Sequence, residues 1–369
     1  MGWFGRKSAR DGVRPALARG SGSFAHVGDW PQSYEAQVRD AYCRNPVAQR
    51  AVRMVAEGVA AAPLKASDPA LAALVQARSG GQVLLESVAA HLLLHGNAYV
   101  HLAADGTGQM RELYALRPER ITIESDAGGW PAAYRYRVGE HVTRFAADDA
   151  GGRPALAHIR TFSPVDDQYG LGALGAAAGA VALHNAATRW NKALLDNAAR
   201  PSGALIYETG DGAALSGEQF ARLKAEMEAG FQGAANAGRP MLLEGGLKWQ
   251  AMSLSPADMD FVGLKAAAAR EIALAFGVPA MLIGLPGDNA YANYREANRA
   301  LWRLAILPLA ATILRGLEQA LGGWFDGATV AVDLDRVPAL AEDRERLWRQ
   351  VSAADFLSDA EKREMVGLT

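Results

Sequence analysis

Between residues 255 and 323 the chain carries two sets of helix boundary signals, and this stretch restricts the fold more than any other. Ser255 is an N-cap candidate, with Pro256 at the first helical position and Asp258 placed to answer it. Phe261, Leu264, Ala268, Ile272 and Phe276 then recur at helical spacing until Gly277 and Pro279 end the run. A loop follows, Leu282-Ile283-Gly284-Leu285-Pro286-Gly287-Asp288-Asn289-Ala290-Tyr291. Asn293, with Glu296 three residues later, predicts the cap of a second helix reaching Gly322-Gly323. That helix would be on the order of 40 Å long, with Pro308 removing one backbone hydrogen bond near its middle. A kinked amphipathic helix of such length needs a large surface to lie on.

Upstream, residues 34–59 read as helical, with Val47, Ala51 and Met54-Val55 on one stripe and Pro63 closing the segment. A second helical region covers 83–95. Gly96-Asn97 then marks a switch from helical period to alternation, carrying Tyr99 and His101 and predicting strands at 113–116, 121–123, 133–138 and 156–162. Asp105-Gly106, Gly128-Gly129 and Gly151-Gly152 mark the turns. Leu171, Leu174, Ala178 and Val181 begin a long alanine-rich helix ending at Arg200-Pro201, whose other faces carry His184, Asn185, Arg189, Lys192 and Asp196. Residues 202–255 then give a strand at 204–207, a charged helix at 216–231, and strands at 241–243 and 248–252. An insertion bounded by two helices that return to the same place reads as a projecting subdomain. Beyond Gly323, a strand at 328–332 precedes short charged helices at 340–351 and 358–365, so the whole pattern is α+β.

The run Glu271-Ile272-Ala273-Leu274-Ala275-Phe276-Gly277-Val278-Pro279, then Leu282-Ile283-Gly284, Tyr291-Ala292-Asn293 and residues 302–308, resembles a known signature. It is that of the portal proteins of tailed bacteriophages, in the Hong Kong 97-type siphophage branch that includes the portals of bacterial gene transfer agents. Leu94-His95-Gly96-Asn97-Ala98-Tyr99, Leu116-Arg117-Pro118, Phe162-Ser163-Pro164 through Gly170-Leu171-Gly172, and residues 197–203 also resemble the family, in the expected order. The resemblance covers nearly everything from about Tyr34 onward. It implies a phage portal fold. Residues 1–30 would be a flexible, basic N-terminal arm, 31–168 an α/β wing, 169–200 a stem helix and 201–256 a small α/β clip. The second stem helix would occupy 257–279, the tunnel loop 280–292 and the long kinked wing helix 293–325. Residues 326–369 would hold a wing strand and short crown-like helices, a region larger in longer members of the family.

The resemblance also implies a function. Such a chain forms a ring, dodecameric in the family, at one vertex of a phage or gene transfer agent capsid, and is assembled in the bacterial cytoplasm. The ring is the channel for packaging and ejecting double-stranded DNA. It meets the major capsid protein and docks the terminase large subunit and the head–tail adaptor. The tunnel loop would bring Gly284, Pro286, Asp288, Asn289, Tyr291 and Asn293 to the DNA, offering polar and aromatic surface without positive charge. The clip would dock partners through Glu218, Arg222, Lys224 and Glu226, and the stem would present Arg189, Lys192, Asp196, Asp260 and Lys265. Another ring-forming head–tail connector, an adaptor or collar, is the alternative reading.

Composition is compatible with that role. Half of the 369 residues are hydrophobic and the formal charge is -2, whereas a protein that grips duplex DNA statically carries a basic excess, because phosphate contact dominates such affinity. Near-neutrality suits a conduit past which DNA slides. The single cysteine, Cys43, excludes an internal disulfide and is expected to be a buried structural thiol. Met1-Gly2-Trp3-Phe4-Gly5-Arg6 has neither a myristoylation serine nor the apolar core of a secretory leader behind it, and the run 304–314 is too short to span a bilayer, so no membrane association is expected.

Gly170-Leu171-Gly172-Ala173-Leu174-Gly175 spells a dinucleotide fingerprint, but the polar loop 163–169 separates it from the preceding strand. Small residues opening a tightly packed helix explain it better. His91 and His95 lie one helical turn apart without the glutamate of hydrolytic zinc sites, and read as core or interface residues. Asp166-Asp167 point to loop ordering or an interface, while Asp258 and Asp260 fit the dipole of a helix N-terminus. No nucleophile–base arrangement and no phosphate-cradling lysine loop is present. The chain is therefore expected not to be an enzyme and to need no cofactor or metal, with the packaging ATPase on a separate polypeptide.

Overall fold

The computed structural model describes residues 15–19, 33–149, 151–196, 203–207, 216–231, 247–251, 261–285 and 291–367. The chain divides into two compact units, one made of Met1–Ala178 with Ile272–Thr369, the other of Gly179–Glu271.

The first unit begins with α1 (Tyr34–Val38), a π-helical turn (Arg39–Cys43) and α2 (Pro46–Ala60). The helix expected to run unbroken over 34–59 is interrupted because a residue before proline is driven out of the helical region. Asn45 takes an extended conformation, and its Oδ1 accepts from the backbone N–H of Val47 and of Ala48, each at 3.0 Å. Cys43, expected to be buried, is exposed on the π turn. β1 (Leu64–Ala66) and α3 (Pro69–Gln76) follow, the latter capped by Asp68 with Pro69 behind it, a start signal passed over in the sequence. A small hairpin, β2 (Arg78–Ser79) and β3 (Gln82–Val83), leads into α4 (Leu84–His95), which Gly96 closes at φ 81°.

Two antiparallel three-stranded sheets come next. β4 (Asn97–Ala104) lies between β5 (Met110–Leu116) and β9 (Leu156–Arg160), while β6 (Ile121–Ser125), β7 (Pro131–Val138) and β8 (His141–Ala146) form the second sheet. β8 was not anticipated, since it is largely exposed and lacks a buried alternation. Tyr99 and Leu156 of one sheet pack with Ile121, Ile123 and Tyr134 of the other, so the sheets share a core. A full burial of about 2 kcal/mol per large apolar side chain makes that core the anchor for the loops above it.

α5 (Ala173–Asp196) passes from the first unit into the second, and α7 (Phe261–Ala275) returns. Between them, β10 (Gly203–Tyr207) pairs antiparallel with β11 (Leu247–Ala251), and α6 (Gly217–Phe231) starts at a reciprocal cap. Ser216 Oγ accepts from Gln219 N at 3.2 Å while Gln219 Oε1 accepts from Ser216 N at 2.9 Å. The strand expected at 241–243 and the cap expected at Ser255-Pro256 lie outside the described residues.

After α7, Gly277 adopts φ 68° and a short 3₁₀ turn, Ala280–Ile283, ends at Gly284. The long helix then runs as α8 (Tyr291–Leu301), a π turn (Trp302–Ile306) and α9 (Leu307–Leu321). Tyr291 is already helical, so Asn293 lies in the first turn rather than at the cap assigned to it. Pro308 does not break the helix. A proline needs its i−4 carbonyl displaced, and the wider π turn immediately before it supplies the displacement. By length and composition Asn293–Leu321 would suffice to cross a membrane, at mean hydropathy 1.5, so length alone does not exclude a span. About a third of its most apolar stretch is buried, and on the C-terminal half Ile306, Ala310, Ile313, Leu314, Leu317 and Leu321 are covered, with α9 lying against β9 and α4.

β12 (Val330–Val332) pairs with β1, and the chain ends in α10 (Ala341–Ser352) and α11 (Asp359–Val366), the latter opened by a Ser358–Glu361 capping box. Arg295 and Arg299 of α8 reach Glu342 of α10 at 2.5 and 2.9 Å, and Arg299 also meets Asp343 at 3.4 Å. Arg299 is mostly shielded from solvent, so its pairs hold α10 against α8 more firmly than exposed pairs would.

One expectation needs correction at the N-terminus. Residues 15–19 are not a free arm: Leu17 N donates to Gly128 O at 2.9 Å and Asp167 N to Ala18 O at 3.2 Å, so the segment is held against the turn at Gly128 and the loop at Asp167.

Candidate functional site

Asn97 is the polar centre of the first unit. It is 1% exposed, sits at the junction of α4 and β4, and uses its whole amide. Oδ1 accepts from Gly170 N at 2.8 Å and from His158 Nε2 at 3.0 Å, while Nδ2 donates to Gly170 O at 3.1 Å. The same Nδ2 lies 3.2 Å from His95 Nδ1. Because Asn97 Oδ1 can only accept, His158 Nε2 carries the proton. Burial holds neutral His158 at about 3 and His95 at about 4, with the charges of Arg160 and His95 adding to the effect on His158. His158 stacks on Tyr99 at 4.4 Å between centroids, and His95 meets Tyr34 edge-on at 4.7 Å. His91, one turn earlier, is lowered to about 4, also by burial first. Among the described residues no group of three or more His, Cys, Asp or Glu side chains gathers as metal ligands would.

What this bracket holds is the loop from which α5 departs. Gly170 receives both amide atoms of Asn97, and Thr161 adds a backbone bond to Gly96 O at 2.9 Å and a hydroxyl bond to Leu171 O at 2.8 Å. The backbones approach so closely that a methyl group on Gly96 would lie 2.5 Å from Gly172 N, and one on Gly172 would lie 2.6 Å from Leu94 O. Gly170 and Gly172 of the apparent dinucleotide fingerprint therefore serve backbone-to-backbone packing, whereas a methyl group on Gly175 would meet nothing within 4 Å. Asp166 orders the preceding turn, its Oδ1 accepting from Gln168 N at 2.7 Å and Tyr169 N at 2.8 Å. This bracket was missed as a site in the sequence. The available signal was Asn97 directly after a left-handed glycine, where a short amide side chain can satisfy a neighbouring loop.

The residues singled out from sequence fall into three places. On α5, Arg189, Lys192 and Asp196 are exposed, with Lys192 Nζ 2.6 Å from Asp196 Oδ2. Lys265 on α7 acts on His184 of α5, whose imidazole is lowered first by burial and second by this charge. Asp260 lies outside the described residues. On α6, Glu218, Arg222, Lys224 and Glu226 are all exposed, Arg222 pairing with Glu226 at 3.2 Å, and Phe220 is exposed beside them. In the interhelical loop, Gly284 is exposed at φ 78° and Asn293 is exposed on the first turn of α8. Tyr291 opens α8, whereas Pro286, Asp288 and Asn289 lie outside the described residues.

Residues 46–367 match the family described as phage portal protein. An uncharacterized protein of Rickettsia bellii (strain RML369-C) is 37% identical over 346 residues, covering 89% of this chain and 88% of that protein. A chain in the neck of a native gene transfer agent particle, computed with C12 symmetry, is 48% identical with a TM-score of 0.70, over 94% of this chain and 97% of the other. A Hong Kong 97 family phage portal protein from Corynebacterium diphtheriae has a TM-score of 0.59 at 18% identity, over 85% of this chain and all of its own length, and shares the fold. With that fold, and with a family match that spans both compact units, the chain belongs to the phage portal protein family.

Proposed function

We propose that this chain forms the portal ring of a phage-like particle of the gene transfer agent kind, at the capsid vertex where head meets neck. The observation that carries this is the near-complete likeness to a chain of a gene transfer agent neck with twelvefold symmetry. A ring follows when one surface of a subunit meets a different surface of the next and the rotation closes. In that ring the tunnel loop 280–292, with Asn293 beside it, lines the channel for double-stranded DNA, presenting Gly284, Pro286, Asp288, Asn289, Tyr291 and Asn293. With no lysine or arginine there, phosphates slide past without being held. The exposed α6, through Glu218, Arg222, Lys224 and Glu226, takes the terminase large subunit during packaging and the head–tail adaptor afterwards, while the wing meets the major capsid protein. The protein acts as a conduit and platform rather than as an enzyme, assembled in the cytoplasm before it becomes part of the particle.

Negative-stain imaging of the purified protein, paired with mass measurement, is expected to show large rings with a central hole. A uniform monomer or small globular oligomer in both purified protein and particle would overturn the reading. Deleting residues 284–288 is expected to leave rings intact and to reduce packaged DNA at least tenfold, measured as nuclease-protected DNA per particle. Full packaging by that variant would remove the channel assignment. Reversing the charges of Arg222 and Lys224 to glutamate is expected to weaken terminase or adaptor capture several-fold in a pull-down while ring yield stays constant. Unaltered capture of both partners would place docking elsewhere.

A further inference from the structure

The first unit contains a built groove for an extended, arginine-bearing segment, occupied by the chain's own residues 15–19. Gln168 is 3% exposed and is fixed by donating to Ser125 Oγ at 2.7 Å and Gly129 O at 2.6 Å, leaving Oε1 to accept from Arg19 Nε at 2.9 Å. Arg19 also donates to Ile123 O and to Tyr169 OH, and its guanidinium lies 5.3 Å from the centre of the Tyr169 ring. Ala18 N donates to Asp167 Oδ2 at 2.9 Å and Trp130 Nε1 to Pro15 O at 2.8 Å. Gly129, at φ 82°, has no room for a side chain, because a methyl group there would lie 2.8 Å from the Leu17 carbonyl carbon. Both walls of the groove, 126–130 and 166–169, are thus shaped around this segment.

The loop carrying one wall also has an uncovered apolar side. Phe162 is 84% exposed, and Val165 and Leu171 are exposed as well. Water is a poor neighbour for three apolar side chains on one loop, and a second copy of this chain is the partner that ring symmetry in the neck relative brings up to them. Thirteen residues, 20–32, separate Arg19 from Ser33, and a chain of that length spans at most about 45 Å. We propose that in the assembled ring residues 15–19 leave their own groove for that of the neighbouring copy, remaking the same hydrogen bonds between subunits. The exchange conserves every contact and adds one interlock at each subunit boundary. This inference rests on the ring proposed above.

The test is disulfide trapping in a Cys43→Ser background. One tagged chain carries Ala18→Cys and a differently tagged chain carries Asp167→Cys, residues whose main chains are hydrogen-bonded and so lie within bridging range. The two are co-assembled, rings are isolated and oxidised, and products are read on a non-reducing gel. Covalent pairs bearing both tags are expected, and one chain carrying both cysteines is expected to give a ladder of linked subunits. Adding Arg19→Ala is expected to lower the yield several-fold. Rings that give no two-tag pair, with the doubly substituted chain linking only to itself, would overturn the exchange while leaving the ring reading intact. Rings with no cross-link of either kind would overturn the groove as well. Failure to find rings by imaging would overturn the proposed function and this inference with it.

Discussion

Gly96→Ala is expected to destabilise the first unit by about 4 kcal/mol or more, enough to leave most of the protein insoluble or unfolded at 37 °C. Two costs combine. A left-handed residue with a Cβ loses about 1 kcal/mol on conformation alone. The larger part is collision, because the added methyl group meets the Gly170, Leu171 and Gly172 backbone at distances that include 2.5 Å to Gly172 N. Backbone cannot rotate aside as a side chain can. Relief requires lifting the loop off α4, which strips from the buried amide of Asn97 both of its bonds to Gly170, at about 1–3 kcal/mol. Gly81→Ala is the matched control: Gly81 has the same φ of 81° with nothing within 4 Å of the new methyl group. Thermal unfolding of the two variants should therefore separate conformational strain from collision. Equal melting temperatures would remove the argument that backbone contact defines the root of α5.

Acid should unfold the protein well above the pH at which carboxylates are protonated. His158, His91 and His95 are neutral and half-buried, their folded values near 3, 4 and 4 lying below the ordinary value of about 6.5. The unfolded chain then takes up protons that the folded chain refuses, so stability is flat above about pH 6.5 and falls as pH drops from there toward 4. Together the three histidines make a loss on the order of 10 kcal/mol across that window. Ionised groups that the fold favours, such as Asp335 paired with Arg344, act only below the ordinary carboxylate range and do not set the upper edge. The melting temperature is expected to fall steeply between pH 6.5 and 4.5. His158→Gln, whose side-chain amide can still donate to Asn97 Oδ1, should flatten that slope. A melting temperature unchanged between pH 7 and 5 would show that these imidazoles are accessible in the folded protein.

Much of the architecture was legible because local signals agreed with the final packing. Gly96 and Gly277 ended helices where the sequence said they would, and the period change after Gly96 marked the first sheet. The strand 141–146 was illegible because its side chains face water and carry no alternation of burial. The break at Asn45-Pro46 was legible in principle, yet the apolar stripe continues across it and masked the cap. The bracket around Asn97 was the hardest to foresee. Its partners Gly170 and His158 are sixty or more positions away, and only tertiary structure brings a short amide, a neutral imidazole and a glycine backbone together. The docking of residues 15–19 was hidden likewise, since five residues are too few to carry a pattern of their own and are recognised wholly by the surface that receives them.

The π turn at residues 302–306 has one more consequence, for phase. Buried positions along the long helix step from Leu301 to Ile306 and then to Ala310, Ile313 and Leu317, an interval of five followed by intervals of three and four. One surplus residue therefore resets the angular clock of the rod, so that a single side of it stays against the core although the repeat of the sequence slips. The heading of α8 is set by that slip, and the side its first turn presents is decided some three turns away from it.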